Sequence, residues 1–559
     1  MQPKLSSIKF SVEDRKSQIE LLSNTEFDLL VIGGGITGAG IALDAAQRGL
    51  KVALLEKKDY AWGTSSRSTK LIHGGLRYLK QMEFKLVQEV GTERAIVHRN
   101  ARHIVVPEKM LLPITEGGSL SKNMSAWALW VYDWLAAVDK SERKKMLNAA
   151  DTAMAEPLLR KEGLKAGGLY FEYRTDDARL TAEILKTAVE FGAICLNYAE
   201  INGFEYDSGN LIKKAKVKDN LQGSAFSVNA KIFVNAAGPW VDNLRAFDTD
   251  GVKGKRLHLS KGVHLVIPFE KLPLKQSVYF DVKADKRMIF AIPRDSITYL
   301  GTTDTNYSGD IDNPEASAQD AAYIIAAVNE MFPSADLKVE DVISSWAGLR
   351  PLIHQDGKSV SELSRKDEIF LSKSGLISIA GGKLTGYRKM AEKVVNLVSK
   401  KLGRKVACGT KNLKLSGADF ETNETLDRFF NLRCGQAKQI SASQQEIKSL
   451  LNRYGANIDL ILANAFELYQ QESDPSKRLL LAELYYCIEY EQVASLCDFL
   501  IRRSGRLYFN RPELENQYHF IAEAMAKKLN WTSTETAENM LEFETEYKRV
   551  LAFKNSETV

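Results

Sequence analysis

Three glycines and one carboxylate carry the first chemistry that can be read in this chain: Gly33, Gly35 and Gly38 in "GGGITGAG", and Glu56, 18 residues after the last of them. Glycine at 33 permits a tight turn, at 35 it lets the backbone approach a pyrophosphate, and at 38 it lets a helix pack closely on a strand. A carboxylate at 56 can accept hydrogen bonds from a ribose diol. The unit reads as a holder for a dinucleotide, and by itself it does not choose between NAD and FAD.

A second stretch follows at once. "GTSSRSTKL" at 63–71 supplies Ser65, Ser66, Ser68 and Thr69, hydroxyls that can reach phosphates or a ring edge. In "IHGGLRYL" at 72–79, Gly74 and Gly75 let the chain pass under a flat ring with no Cβ in the way. Cations then recur beside glycine in apolar, strand-end surroundings: Arg77, Lys261, Arg350 and Lys383. Each alone reads as a solvated side chain; together they suit an anionic substrate, most simply a phosphate.

The elements that must position these groups are legible around them. Phe27 to Ile32 is a short apolar strand, the helical pattern through Ala42, Ala45 and Ala46 ends at Gly49, and Val52 to Leu55 is a second strand. With the glycines between, this is a strand–turn–helix–strand unit of dinucleotide type. "KIFVNAAGPWVDNL" at 231–244 predicts a strand ending in small residues, a third contact edge for a cofactor. "LSKGVHLVIP" at 259–268 places Lys261 and His264 at the mouth of a strand, and "WAGLRPLI" at 346–353 places Arg350 before a proline. "LISIAGGKLTGYRKMAEKVVNLV" at 376–398 is a strand, then Gly381, Gly382 and Lys383, then a long helix. Such a helix N-terminus suits a pyrimidine edge that becomes anionic on reduction, or a bound phosphate.

Composition limits the alternatives. At 559 residues, 44% hydrophobic and 26% charged, the chain reads as a soluble protein of two or three domains. A formal charge of +5 is small for this length, and no nucleic-acid partner is expected. Five cysteines without a CxxC pair argue for a reducing compartment. Seven histidines without an HxH or HExxH cluster argue for no metal site. The first residues lack the apolar core of a signal peptide, and no run approaches the ~20 apolar residues of a spanning helix. The most apolar helical stretch, 479–501, carries Glu483, Glu489 and Glu491 and reads as a buried helix of a bundle. In 125–145, Trp127, Trp130 and Trp134 recur at helical spacing before a basic run. That pattern fits a core helix of a capping domain, or an interfacial helix on an anionic membrane surface. From about 410 the pattern is helical and carries no motif with chemistry. It reads as a helical cap, a homodimer surface or a membrane-facing surface.

"GGGITGAGIALDAAQRGL", "SSRSTKLIHGGLRYL", "TDDARL", "NAAGPWVD", "KGVHLVIP", "GTTDT", "GLRPL" and "GGKLTGYRKMAE" resemble, in order and spacing, the FAD-dependent glycerol-3-phosphate dehydrogenase family. The resemblance runs from about residue 20 to 405. It implies an α/β fold: a Rossmann-like FAD-binding domain, a mixed-sheet substrate (cap) domain and an all-helical C-terminal domain. The expected division is 20–105, 170–245 and 345–405 for FAD, 106–169 and 246–344 for the cap, and 410–559 for the helices. It implies sn-glycerol 3-phosphate as substrate, dihydroxyacetone phosphate as product, and electrons leaving to a membrane quinone. The location implied is cytoplasmic, peripheral to the inner face of the membrane.

Non-covalent FAD would touch Gly33, Gly35, Gly38, Glu56, Ser65, Ser66, Lys70, Leu71, His73, Gly74, Gly75, Ala237, Gly238, Gly382, Lys383, Leu384 and Thr385. Arg77, Tyr78, Lys261, Arg350 and Lys383 would bind substrate. His264, with Arg350 and Lys383, would be catalytic. Imidazole titrates near neutrality, and neighbouring cations keep it unprotonated, which suits a base for the C2 hydroxyl. His73 is the other candidate base, or a residue that holds the flavin ring. One departure stands out: similar proteins carry two threonines after the lysine–leucine pair, whereas here Thr385 is followed by Gly386. The rival readings are an oxygen-using oxidase of the same substrate, an amine or amino-acid oxidase of the same fold, and a flavin-binding RNA-modifying or RNA-binding protein.

Overall fold

Residues 10–73, 84–118, 144–354 and 367–555 are described by a computed structural model. Leu29 to Ile32 is apolar without alternation because the strand Glu26–Ile32 is covered on both faces. Leu29 and Val31 pack toward helices Ile36–Gln47 and Tyr387–Lys401, whereas Leu30 and Ile32 pack toward Ala215, Val217 and Val228. The strand lies between Val52–Leu55 and Ala225–Asn235, parallel to both. Ile194–Leu196 extends this sheet in parallel beyond Val52–Leu55, and Ile377–Ala380 does so beyond Ala225–Asn235. Glu368–Leu371 closes that edge antiparallel, and an antiparallel pair, Ala199–Tyr206 and Ile212–Asp219, joins through Ala225–Asn229.

Among the described residues the second sheet has ten strands and is mixed. Its order runs Thr305–Asn306, Leu257–Pro268, Ile297–Gly301, Met288–Arg294, Ser277–Asp281, Val106–Thr115, Leu164–Arg174, Leu71–Ile72. Ser344–Ile353 pairs along Leu257–Pro268, and Lys145–Asn148 along Leu164–Arg174. Three expected boundaries therefore move. Leu71–Ile72 and residues 345–353 of the strand Ser344–Ile353, assigned from the sequence to the FAD domain, belong to the cap sheet, and Leu164–Arg174 continues that sheet past residue 170. Strand patterning reports which faces are buried but not which sheet a strand joins, because the partner is remote in sequence.

The C-terminal region is helical, from Asn423–Ala437 to Ser533–Arg549. The apolar stretch 479–501 is not one helix. Pro475–Glu491 ends at Gln492, which has φ +51°, and a π-helical turn follows at Asp498–Arg503. The break is held by the Gln492 side chain, which accepts from Tyr60 Oη at 2.8 Å and donates to Gln18 Oε1 and the Cys195 carbonyl. The glutamates of that stretch are paired: Glu483 with Arg453 and Arg506, Glu489 with Lys528, and Glu491 with Arg179 and Lys186. Among the described residues, no helix is long and apolar enough to cross a membrane. Trp127, Trp130 and Trp134 lie outside the described residues.

Where the C-terminal domain meets the FAD domain, His103 is fully enclosed beside the Gly417–Gly455 contact; a Cβ on Gly455 would lie 2.9 Å from His103 Cγ. Burial, helped by the charges of Arg179 and Lys186, pushes its pKa down to about 3. Between that value and about 6.5 the unfolded chain binds the proton and the folded chain does not. Stability therefore rises with pH across this window, is fully present above it, and is lost on acidification at about 1.4 kcal/mol per pH unit. His103→Phe is expected to flatten the slope of unfolding free energy between pH 4 and 6 relative to wild type. Equal slopes in urea titrations would refute this.

Candidate active site

Gly33 leaves the first strand at φ +111°, with its N–H on the Leu55 carbonyl at 2.8 Å. A side chain there would meet the Ala236 carbonyl oxygen at 2.7 Å, and one on Gly38 would meet the Gly33 carbonyl oxygen at 1.9 Å. The three glycines thus bring the helix Ile36–Gln47 onto the strand end and leave Gly35, Ile36 and Thr37 facing a cleft of about 400 Å³. The Ile36 N–H donates to Ser65 Oγ at 2.9 Å, which ties the helix start to the following loop. Glu56 lines the cleft at the end of the second strand and accepts from the N–H of Gly34 at 2.6 Å and of Lys58 at 3.0 Å. Enclosure raises its carboxyl pKa, although those two N–H groups oppose the shift.

Ala237 and Gly238 border the same cleft from the end of Ala225–Asn235, held by Asn235 Oδ1, which accepts from the Ala237 N–H. Further along, Leu71 and His73 face Gly382, Lys383, Leu384 and Thr385. Gly381 and Gly382 take φ of +79° and +82°, and a side chain on Gly382 would meet Met390 Sδ at 2.4 Å. Thr385 Oγ1 donates to the His73 carbonyl at 3.2 Å and joins the two walls. A helix N-terminus without side-chain obstruction, a carboxylate at the second strand end and a glycine-walled slot beyond fit FAD: pyrophosphate, ribose and ring in that order.

The reacting end is built on two paired strands. Gly262 faces Gly348 and His264 faces Trp346 across the ladder between Leu257–Pro268 and Ser344–Ile353. Alternation puts Ser260, Gly262 and His264 on one face with Gly348 and Arg350. Gly262 is needed there, since a Cβ would lie 2.3 Å from Arg350 Nη2; on Gly348 it would lie 2.3 Å from the Arg67 carbonyl oxygen. Arg350 donates to Asp304 Oδ1 at 3.1 Å, Thr302 Oγ1 at 3.1 Å and Ser260 Oγ at 3.3 Å, and Ser260 donates to the same Asp304 oxygen.

His264 lines the cleft but is 2% exposed. Its ring lies 4.9 Å from Trp346 at 14°, and its Nε2 is 3.0 Å from Thr69 Oγ1. Burial first, then the charges of Arg350 and Lys70, hold the imidazole well below its ordinary pKa, so it is neutral.

Three residues expected to bind ligands point elsewhere. Lys261, next to Gly262 on the strand, projects from the opposite face and pairs with Asp320 at 2.6 Å and the Glu315 carbonyl at 3.1 Å. Lys70 is buried in an ion pair with Asp177 at 2.5 Å and donates to the Ser66 carbonyl. Ser66 is itself buried, its hydroxyl on the Gly63 carbonyl. Both lock the loop from within, and neither lines the cleft. Gly74, Gly75, Arg77 and Tyr78 lie outside the described residues.

The sequence reading also passed over working residues inside motifs it had quoted: Asp177 in "TDDARL" and Asp304 in "GTTDT". It passed over Asp312, which accepts from Trp240 Nε1 at 2.6 Å and pairs with Lys57 at 3.0 Å, joining the cap to the cleft rim. Asp304 had a signal, a carboxylate in a run of small polar residues. Asp312, in a loop of several acids, had none.

A family model for FAD dependent oxidoreductases matches residues 28–388, and one for the C-terminal domain of alpha-glycerophosphate oxidase matches 408–536. The chain is 49% identical over 522 residues to an aerobic glycerol-3-phosphate dehydrogenase of Staphylococcus haemolyticus, covering 92% of this chain and 93% of that protein. It is 49% identical over 516 residues to its counterpart in Staphylococcus aureus, covering 91% and 92%. The solved structure of the glycerol-3-phosphate dehydrogenase from Bacillus halodurans, complexed with FAD, superimposes with a TM-score of 0.85 at 44% identity, covering 98% of this chain and 100% of that one.

Proposed function

This chain belongs to the FAD-dependent glycerol-3-phosphate dehydrogenase family, and we propose that it oxidises the secondary alcohol of sn-glycerol 3-phosphate to dihydroxyacetone phosphate and passes the electrons to a membrane quinone. The observation that supports this reading best is a neutral, buried imidazole next to a guanidinium, carried on paired strands that line one cleft with the glycine cradle. FAD, when bound, supplies the hydride acceptor.

The chain's own residues do the rest. Gly33, Gly35 and the start of helix Ile36–Gln47 would receive the pyrophosphate, Glu56 the ribose, and His73 with Gly382 to Thr385 the ring. Arg350 and Lys383 offer positive charge to the phosphate and to the oxygens near C2, with Arg77 and Tyr78 as further contacts. Each charge-assisted contact contributes roughly 1.5–3 kcal/mol. Asp304 and Ser260 hold the Arg350 guanidinium over Gly262, so little ordering remains to be done when the anion arrives. At His264, Nε2 already sits within hydrogen-bond distance of one hydroxyl, that of Thr69. The C2 hydroxyl would share that nitrogen and leave its proton there as the hydride departs.

Quinone reduction calls for peripheral contact with an anionic membrane surface on the cytoplasmic side, and a homodimer would accommodate it. A second reading, electrons passed to oxygen, takes its support from the name of the C-terminal family match. One experiment separates these. Anaerobic sn-glycerol 3-phosphate added to the purified yellow holoenzyme is expected to bleach the flavin bands, and a soluble quinone should then restore them faster than oxygen does. No bleaching would refute the substrate, and faster recovery with oxygen would refute the acceptor.

A further inference from the structure

The C-terminal domain approaches the reacting face from behind. Trp346 presents one side of its indole to His264 at 4.9 Å and 14°. Tyr508 and Phe509, from the short C-terminal helix Arg506–Phe509, contact the same indole at 5.3 Å and 5.9 Å. The indole is anchored in its plane by Nε1 donating to the Ser68 carbonyl at 3.0 Å, and its strand is tied to that helix by Ser344 Oγ on the Leu507 carbonyl at 2.9 Å. Tyr299 closes the cluster, 5.7 Å from Trp346 and 6.5 Å from Phe509, with its hydroxyl on the Thr69 carbonyl. Trp346, Tyr508 and Phe509 are not among the residues that line the cleft, so they act on the reaction only through residues that do, of which His264 is the one stacked on the indole.

We propose that Phe509 and Tyr508 are positioning residues for His264: wedged against Trp346 from the C-terminal domain, they fix the plane in which the imidazole faces the cleft. The inference rests on the reading of His264 as the base. A base works only when its lone pair lies within hydrogen-bond reach of the proton, and a misplacement of about 1 Å can lower a rate by roughly a hundredfold. Among the described residues, the one hydrogen bond to the ring, between Nε2 and Thr69 Oγ1, leaves it free to swing about that contact; a flat aromatic surface removes the swing. The charged and titratable groups facing the ring are Arg350, Lys70 and Tyr299, with Asp304 and Asp177 as counter-ions of the first two.

The test is stopped-flow anaerobic reduction of the Phe509→Leu holoenzyme by sn-glycerol 3-phosphate between pH 5 and 9. The limiting rate is expected to fall roughly tenfold. Substrate affinity and FAD content should stay within about twofold of wild type. The acid limb of the profile should move up toward the ordinary range of histidine as water reaches the ring. Phe509→Tyr should restore both. A wild-type rate and limb in Phe509→Leu would overturn the proposal. So would losses of rate, substrate affinity and FAD in equal proportion, since a general loosening does that. Should Phe509→Leu not retain FAD, Trp346→Phe carries the same test with the same two outcomes. His264→Gln separates the two layers: a wild-type rate there refutes the base, whereas a slow His264→Gln beside a normal Phe509→Leu refutes only the positioning.

Discussion

His264→Gln is expected to slow anaerobic flavin reduction by roughly 10²–10⁴-fold, the usual contribution of a positioned general base. Glutamine can keep a hydrogen bond to Thr69 Oγ1 and leaves the glycine cradle untouched, so FAD content should remain that of wild type. The imidazole is suited to the work because it is neutral when it meets substrate. Burial, then Arg350 and Lys70, holds its pKa well below 6.5. The wild-type rate should therefore stay level as pH falls toward the ordinary histidine range and decline only below it, whereas the variant should lose that acid limb. Rates are to be measured across pH 5–9 in a stopped-flow instrument. Wild-type rates in the variant would remove His264 from the mechanism and turn attention to His73.

Asp59→Asn is expected to destabilise the protein by about 3–5 kcal/mol, the usual effect of removing one partner from a buried ion pair. Asp59 accepts from Arg502 Nε at 2.5 Å and from Arg503 Nη1 and Nη2 at 2.8 Å, with Asn197 Nδ2 at 3.2 Å. Burial works against its charge, but Arg503 and Arg502 overcome this and hold the carboxyl pKa below its ordinary value. The network continues through Asp498 to Arg502, and through Glu491 and Glu183 to Arg179 and Lys186, so four acids balance four bases. Asparagine would leave one positive charge in excess inside the protein.

Two consequences distinguish this from ordinary loss of stability. Asp59 lies three residues beyond Glu56, so the loop that borders the cofactor cleft should loosen, and FAD should leave the variant faster than wild type. Because the folded carboxyl has a lowered pKa, its contribution is present above the unfolded value near 3.9 and is lost as pH falls through the folded one. Urea midpoints and FAD release rates near pH 7 test both. An unchanged midpoint would mean that Asp498 and Glu491, rather than Asp59, balance Arg502 and Arg503.

What the sequence determined by itself was local. Gly33, Gly35, Gly38 and Glu56 are set by strand, turn and helix geometry within one short segment, and each lines or shapes the cleft where its spacing placed it. The slot at Gly382 to Thr385 follows in the same way from a strand end, two glycines and a helix start. Lys261 shows the limit: it and His264 sit three apart on one strand, hence on opposite faces, and period-two alternation alone would have separated them. Lys70 shows a harder limit, since nothing near it indicates that its charge is taken up by Asp177, 107 residues away.

Only the tertiary structure decided which strand Ser344–Ile353 pairs with, and therefore that Arg350 crosses Gly262 and Trp346 stacks on His264. Only it brought Phe509 behind Trp346 and Arg502 and Arg503 onto Asp59. The reason is physical. Backbone geometry constrains neighbours along the chain through a few dihedral angles, so glycine spacing carries information. Contacts between distant segments are selected by burial and charge balance over the whole molecule, which no short stretch of sequence encodes.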